Sequence, residues 1–113
     1  MVKINQGEIY IVDFGNPRGS EPGYRRPCIV IQNDLLNQSL INTVIVCVIT
    51  SNLNLAKIPL NVFLEKSVSG LKKDSVVNVS QIFTLNKFQL ETKIKKVDPD
   101  ILRKILFNIH SVL

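Results

Sequence analysis

Apolar positions along this chain fall in strand-length runs separated by polar turns as far as residue 97, some apolar on both faces and some alternating, and switch to helical spacing after it. Glu8 to Phe14 reads as a strand, with Ile9 and Ile11 on one face and Tyr10, Val12 and Phe14 on the other, so it is expected to be covered on both sides. Pro17, Gly19, Pro22 and Gly23 make Asn16 to Tyr24 a loop. Arg26 to Gln32 is a second strand, with Pro27 confined to its start or to an edge because it lacks a donor. Asn33 to Ser39 suits a short helical turn capped by Asn33 or Asp34. Asn42 to Thr50 is the most β-branched run and predicts a central strand.

Ser51 to Lys57 is a polar loop, and Leu60 to Glu65 alternates with Leu60, Val62 and Leu64 inward. Gly70 and Lys72-Lys73-Asp74 form a turn before strands at Ser75 to Thr84 and Leu90 to Val97. Lys93, Lys95 and Lys96 suit an exposed edge. Asp98 is then a good N-cap, Pro99 fits the first helical position, and Asp100 favours the positive helix end. Ile101, Leu102, Ile105, Leu106, Ile109, Val112 and Leu113 recur on one helical face. The pattern predicts a mostly β fold with α, a small antiparallel barrel or curled sheet carrying a C-terminal amphipathic helix, as one domain over 1–113.

Composition adds limits. A chain of 113 residues, 45% hydrophobic and 20% charged, buries enough surface to fold without a metal or disulfide. Its net charge of +5 favours a polyanionic partner: nucleic acid, an acidic protein or an anionic membrane face. Cys28 and Cys47 lie in apolar runs and read as buried thiols, although a disulfide is geometrically possible if their strands pair. With one His, they cannot complete a zinc tetrad without carboxylates. The longest apolar run, Val44 to Ile49, is too short to span a membrane, and no signal peptide is visible, so a cytoplasmic protein is expected.

The candidate chemistry lies where Arg25 and Arg26 open the second strand and Thr50 closes the next. If these strands are antiparallel neighbours, a fixed cation and a hydroxyl face one phosphate. Glu21 is the only carboxylate in the preceding loop and could act as a base or pair with Arg25. His110, the sole histidine, falls beside the polar side of the last helix and reads as a surface residue.

Gly19-Ser20-Glu21-Pro22-Gly23, Arg26-Pro27, Val30-Ile31-Gln32-Asn33-Asp34, Ile49-Thr50-Ser51-Asn52, Gly70-Leu71, Lys73-Asp74-Ser75-Val76-Val77 and Gln81-Ile82 follow one another collinearly. In this order and spacing the chain resembles the MazF/PemK-type endoribonuclease toxins of toxin–antitoxin systems, from about residue 6 to the last helix. The resemblance implies an SH3-like β-barrel, a homodimer, and cleavage of single-stranded RNA, chiefly mRNA, at short motifs without a metal or other cofactor. It also implies inhibition by an acidic cognate antitoxin.

By the same resemblance Arg26 and Thr50 are the catalytic residues. Ser20, Glu21, Tyr24, Arg25, Ser51, Asn52 and Gln81 are candidate substrate-binding residues. Tyr24 would stack on a base or pack on the barrel rim, and Gln81 would face the groove or satisfy backbone groups. Two positions depart from the family pattern: Asn86 stands where an Asp is common and Gln89 where an Arg is common.

The expected chemistry has the ribose 2′-hydroxyl attack its own phosphate, leaving a 2′,3′-cyclic phosphate and a 5′-hydroxyl. A gyrase poison of the same fold is a competing reading, weakened by the absence of Trp and by the ending His110-Ser111-Val112-Leu113. A non-catalytic SH3-like module for peptide or nucleic acid is another.

Overall fold

A computed structural model describes residues 3–16, 19 and 24–113. Its elements in order are β1 (Glu8–Asp13), β2 (Arg25–Val30), α1 (Asp34–Asn37), β3 (Thr43–Thr50), β4 (Val62–Leu64), α2 (Lys66–Ser69), β5 (Ser75–Asn86), β6 (Leu90–Lys96) and α3 (Pro99–Val112). Single 3₁₀ turns span Leu53–Lys57 and Lys87–Gln89. The strands make one six-stranded sheet in the order β4-β5-β3-β2-β1-β6, antiparallel at every step and curled into a half-barrel. This is the mostly β fold with a C-terminal helix that the periodicity predicts. β3 lies inside the sheet and lysine-rich β6 at its edge, as their compositions require.

The curl has a local cause. Cys47 of β3 faces Ile82 of β5, while Ile49 already faces Val77, so five steps of β5 oppose two of β3. Such a bulge bends the strand and raises its twist. The Asn61 side chain fills the gap, accepting the Val79 N–H at 3.1 Å and donating to the Leu55 carbonyl at 3.0 Å.

Two apolar clusters lie on the two faces of the sheet. One joins Ile9, Ile29, Cys47, Ile49, Val62, Leu64, Val77 and Val79 to Ile105 and Ile109 of α3. The other holds Ile4, Tyr10, Val12, Cys28, Val30, Val44, Val46, Val48 and Leu85. Strands β1 to β3 feed both clusters, which explains their near-continuous hydrophobic runs.

Several expectations change in detail. Leu60 does not point inward: it precedes β4 with φ 72° and is 38% exposed. The polar loop after β3 holds a 3₁₀ turn capped by Asn52, whose side chain accepts the Asn54 N–H. The short helix α2, which has no strong pattern of its own, closes on Gly70. Asp98 occupies the N-cap position of α3, but its side chain makes no capping bond. The buried face of α3 is narrower than its apolar spacing, with Ile105 and Ile109 inside and Val112 and Leu113 exposed. Cys28 and Cys47 do sit on paired strands, but Cys28 is opposite Val48 and Cys47 opposite Ile29, so they face different clusters and both are free. Burial raises both thiols, Cys47 to about 12, which keeps them protonated and unreactive.

One buried carboxylate anchors the edge strand. Glu8 is 5% exposed and accepts the Asn5 N–H at 2.7 Å and the Tyr10 hydroxyl at 3.2 Å, while the Lys93 ammonium of β6 lies 2.9 Å away. Burial pushes this carboxyl up, but the Asn5 and Lys93 contacts outweigh it and leave it below the ordinary value of 4.5. A carboxyl lowered by folding stabilises fully above its unfolded value, and that stability drains away as pH falls through the folded value. Glu8→Gln should therefore cost about 1–3 kcal/mol at pH 7. It should also flatten the loss of urea midpoint between neutral pH and pH about 3. An unchanged pH profile in the variant would assign the acid sensitivity to other carboxylates.

Candidate active site

The β2–β3 ladder runs as far as Cys28 opposite Val48, and Arg26 and Thr50 each lie two residues beyond that last pair on their own strands. On its other side Arg26 is paired with Val12 of β1, and Arg25 with Asp13. The arginine and the threonine thus end two neighbouring strands at one mouth of the half-barrel. A groove of about 490 Å³ opens there. Its polar lining is Arg25, Arg26, Thr50, Ser51, Lys72, Lys73 and Ser75, over a floor that includes Ile11, Pro27, Ile49, Leu71 and Ile94. The described lining carries four cations and no carboxylate. A groove of this kind attracts a polyanion and still offers apolar surface to a base.

Each polar group is set by its local backbone. Thr50 Oγ1 accepts the Asn52 N–H at 3.1 Å, which engages one of its two lone pairs and leaves its proton to donate. Arg26 is exposed, and no described carboxylate forms an ion pair with it. Arg25 is held by Glu91 of β6 through Nε–Oε1 at 2.6 Å and Nη2–Oε2 at 3.3 Å. The Glu91 hydrogen bond and charge raise the Arg25 guanidinium above its ordinary value. Two of its five N–H groups are spent in this fork, and the others stay available.

The remaining candidates are placed differently. Ser51 lines the groove, whereas Asn52, beside it in sequence, is not part of the lining and caps the next turn. Tyr24 is 65% exposed with φ 57°, its carbonyl accepting the Phe14 N–H at 2.8 Å and its own N–H donating to Gly15. It stands at the base of the β1–β2 loop, outside the groove lining. Gln81 is half-buried in the β5 bulge, also outside that lining. Ser20 and Glu21 lie outside the described residues. His110 is exposed near the end of α3.

Lys72 and Lys73 were legible only as a turn, yet they supply half of the groove's cations. The signal was the lysine doublet just after Gly70. The two departures also acquire a structural role. Gln89 accepts the Asn86 N–H at 2.9 Å and donates to the Asp13 carbonyl at 3.1 Å, tying the β5–β6 turn to the end of β1.

Among the described residues no group of three or more His, Cys, Asp or Glu side chains could hold a metal ion. No helix of the described residues is long and apolar enough to cross a membrane.

The model of the family described as PemK-like, MazF-like toxin of type II toxin–antitoxin system matches residues 5–113. Endoribonuclease MazF2 of Mycobacterium bovis is 46% identical over 110 residues, covering 97% of this chain and 96% of the relative. Endoribonuclease MazF6 of Mycobacterium tuberculosis matches with the same identity and coverage. Among solved structures, MazF from Deinococcus radiodurans superposes with a TM-score of 0.80 at 21% identity, over 99% of this chain and 97% of that one. A mycobacterial endoribonuclease in complex with its cognate antitoxin gives 0.75 at 23% identity, over 98% and 93%.

Proposed function

The chain belongs to the PemK-like, MazF-like toxins of type II toxin–antitoxin systems, and we propose that it acts as an endoribonuclease that cuts single-stranded RNA, above all mRNA, in the groove at Arg26 and Thr50. The observation that carries this reading is the convergence of Arg26 and Thr50 on one acid-free, four-cation groove of the described residues. The 46% identity to relatives named endoribonucleases separates it from the gyrase-poison and binding-module readings.

The ribose 2′-oxygen bonds to the adjacent phosphorus as the P–O5′ bond breaks. The 2′-proton leaves to a base and the departing 5′-oxygen gains a proton. Charge builds on the non-bridging phosphate oxygens, where the Arg26 guanidinium donates two parallel hydrogen bonds. Thr50, its oxygen already accepting from Asn52, donates its proton to the same phosphate. Arg25, oriented by Glu91, contacts a neighbouring phosphate with its remaining N–H groups. Ser51 reaches a base edge from the groove wall, and Ser20, Glu21, Tyr24, Asn52 and Gln81 extend the substrate contacts beyond the described lining. Glu21 has the chemistry to take the 2′-proton. No metal or other cofactor is needed for this route.

An acidic antitoxin is the proposed inhibitor, favoured by the net charge of +5 and by the same cationic groove. A second copy of the chain is the proposed assembly partner, supported by Leu35, Leu36, Leu40 and Ile41, all exposed around α1. The cytoplasm, where mRNA is met, is the proposed setting.

The test is incubation of the purified protein with a long mixed RNA in excess EDTA, followed by sequencing of the new 5′ ends. Cuts clustered at one short motif, with 5′-hydroxyl termini, are expected. Intact RNA after incubation with folded protein would overturn the nuclease reading and direct attention to gyrase inhibition.

A further inference from the structure

We propose that Lys72 and Lys73, on the turn between α2 and β5, form a second wall of this groove that grips the phosphate of a nucleotide next to the cleaved one. The inference rests on the reading of the groove as the RNA site. In the sheet order, β3 lies between β2 and β5, so the Arg25–Arg26 strand and the Lys72–Lys73 turn flank the end of β3 that carries Thr50. Two strand spacings separate β2 from β5, about 10 Å. That is more than one phosphate group spans, so the two pairs of cations address different phosphates of one strand.

The turn is built to hold its place. Gly70 adopts φ +77°, and a Cβ there would lie 3.2 Å from both Ile94 Cγ2 and Lys95 Cβ, so the chain turns tightly against β6. Ser69 Oγ accepts the Leu71 N–H at 3.0 Å, and Ser75 Oγ donates to the Lys73 carbonyl at 2.9 Å. The one acid in the turn, Asp74, spends a carboxylate oxygen on the Lys66 N–H at 2.8 Å.

Three other lysines are committed elsewhere. Lys93 pairs with Glu8, Lys87 donates to the Asn37 carbonyl, and Lys95 donates to the Ser67 carbonyl. Lys72 and Lys73 are exposed, line the groove and form no ion pair with another described residue. Lysine acts here as a point charge on a flexible stem, suited to holding a phosphate without fixing its geometry. Transition-state work stays with the guanidinium across the groove.

The experiment measures binding of a mixed-sequence single-stranded RNA with every 2′-hydroxyl methylated, which cannot be cut, over a salt series. Wild type is compared with Lys72→Gln, Lys73→Gln, the double variant and Lys104→Gln, an exposed cation of α3 outside the groove. Each phosphate contact to a single strand contributes about 0.7 to the slope of log affinity against log salt. The double variant should lose about 1.4 of that slope and bind more weakly. Lys104→Gln should keep the wild-type slope. Single-turnover cleavage of a long mixed, unmethylated RNA at saturating protein should stay within about twofold of wild type for Lys104→Gln, which lies outside the groove.

An unchanged slope in the double variant overturns the inference, as does an equal loss in Lys104→Gln, which would mean a general field. A wild-type protein that binds the methylated RNA but does not cut the unmethylated long RNA overturns the nuclease reading alone, since the slopes still report on the lysines. A wild-type protein that neither binds nor cuts overturns both.

Discussion

Arg26→Ala should leave a folded protein that cuts RNA about 10²–10³-fold more slowly than wild type, the cost of removing one preorganised donor from developing charge. The side chain is exposed and no described carboxylate pairs with it, so the fold should lose no more than about 0.5 kcal/mol. Neighbouring Arg25 cannot take over, because Glu91 holds one edge of its guanidinium toward β6. Arg26→Lys separates charge from geometry: it keeps the cation but not the planar fork that holds two phosphate oxygens, and should fall between wild type and alanine.

The measurements are single-turnover cleavage at saturating protein and the urea midpoint of each variant. Loss of rate at an unchanged midpoint places Arg26 on the reacting phosphate. A folded alanine variant that cuts at the wild-type rate would remove Arg26 from the mechanism and leave Thr50 without its cation.

What was legible in the sequence follows from how local each feature is. The strands and α3 came from periodicity, since side chains repeat at two or 3.6 residues whatever surrounds them. The approach of Arg26 and Thr50 to one groove was visible as two strand ends and needed only antiparallel neighbours. The jump from Cys47–Ile82 to Ile49–Val77 was not visible, because a bulge depends on how two strands are paired and leaves each strand's own pattern intact. Leu60 kept the alternation but takes φ 72°, a backbone choice imposed by the turn.

The thiols illustrate the same point. That Cys28 and Cys47 lie on paired strands was a fair expectation, yet a one-residue offset puts them on opposite faces. Lys72 and Lys73 escaped notice as site residues because charge in a turn is the usual solvated case. Only the fold of β5 beside β3 brings that turn to the groove. The Arg25–Glu91 fork joins residues 66 positions apart, which no spacing reveals.

Ile105→Ala should destabilise the fold by about 2–5 kcal/mol, the range for emptying a fully buried aliphatic site. Ile105 is 0% exposed and belongs to the cluster that also holds Ile9, Ile29, Ile49 and Val77, so it anchors α3 to the sheet, chiefly beside β5. Small domains are stable by only about 5–15 kcal/mol, so this one truncation removes a large share of the total. With a urea dependence of about 1–3 kcal/mol per molar, the midpoint should fall by on the order of 1–2 M.

Val112→Ala is the internal comparison: it lies on the same expected apolar face but is 41% exposed, and should cost less than about 1 kcal/mol. The helix contributes nothing to the groove lining, so the rate per folded molecule should match wild type in both variants wherever the protein remains folded. Equal midpoints for Ile105→Ala and Val112→Ala would show that α3 is not held by its buried face. A rate that falls with the midpoint held constant would show that Ile49, in the same cluster and next to Thr50, transmits packing changes into the site.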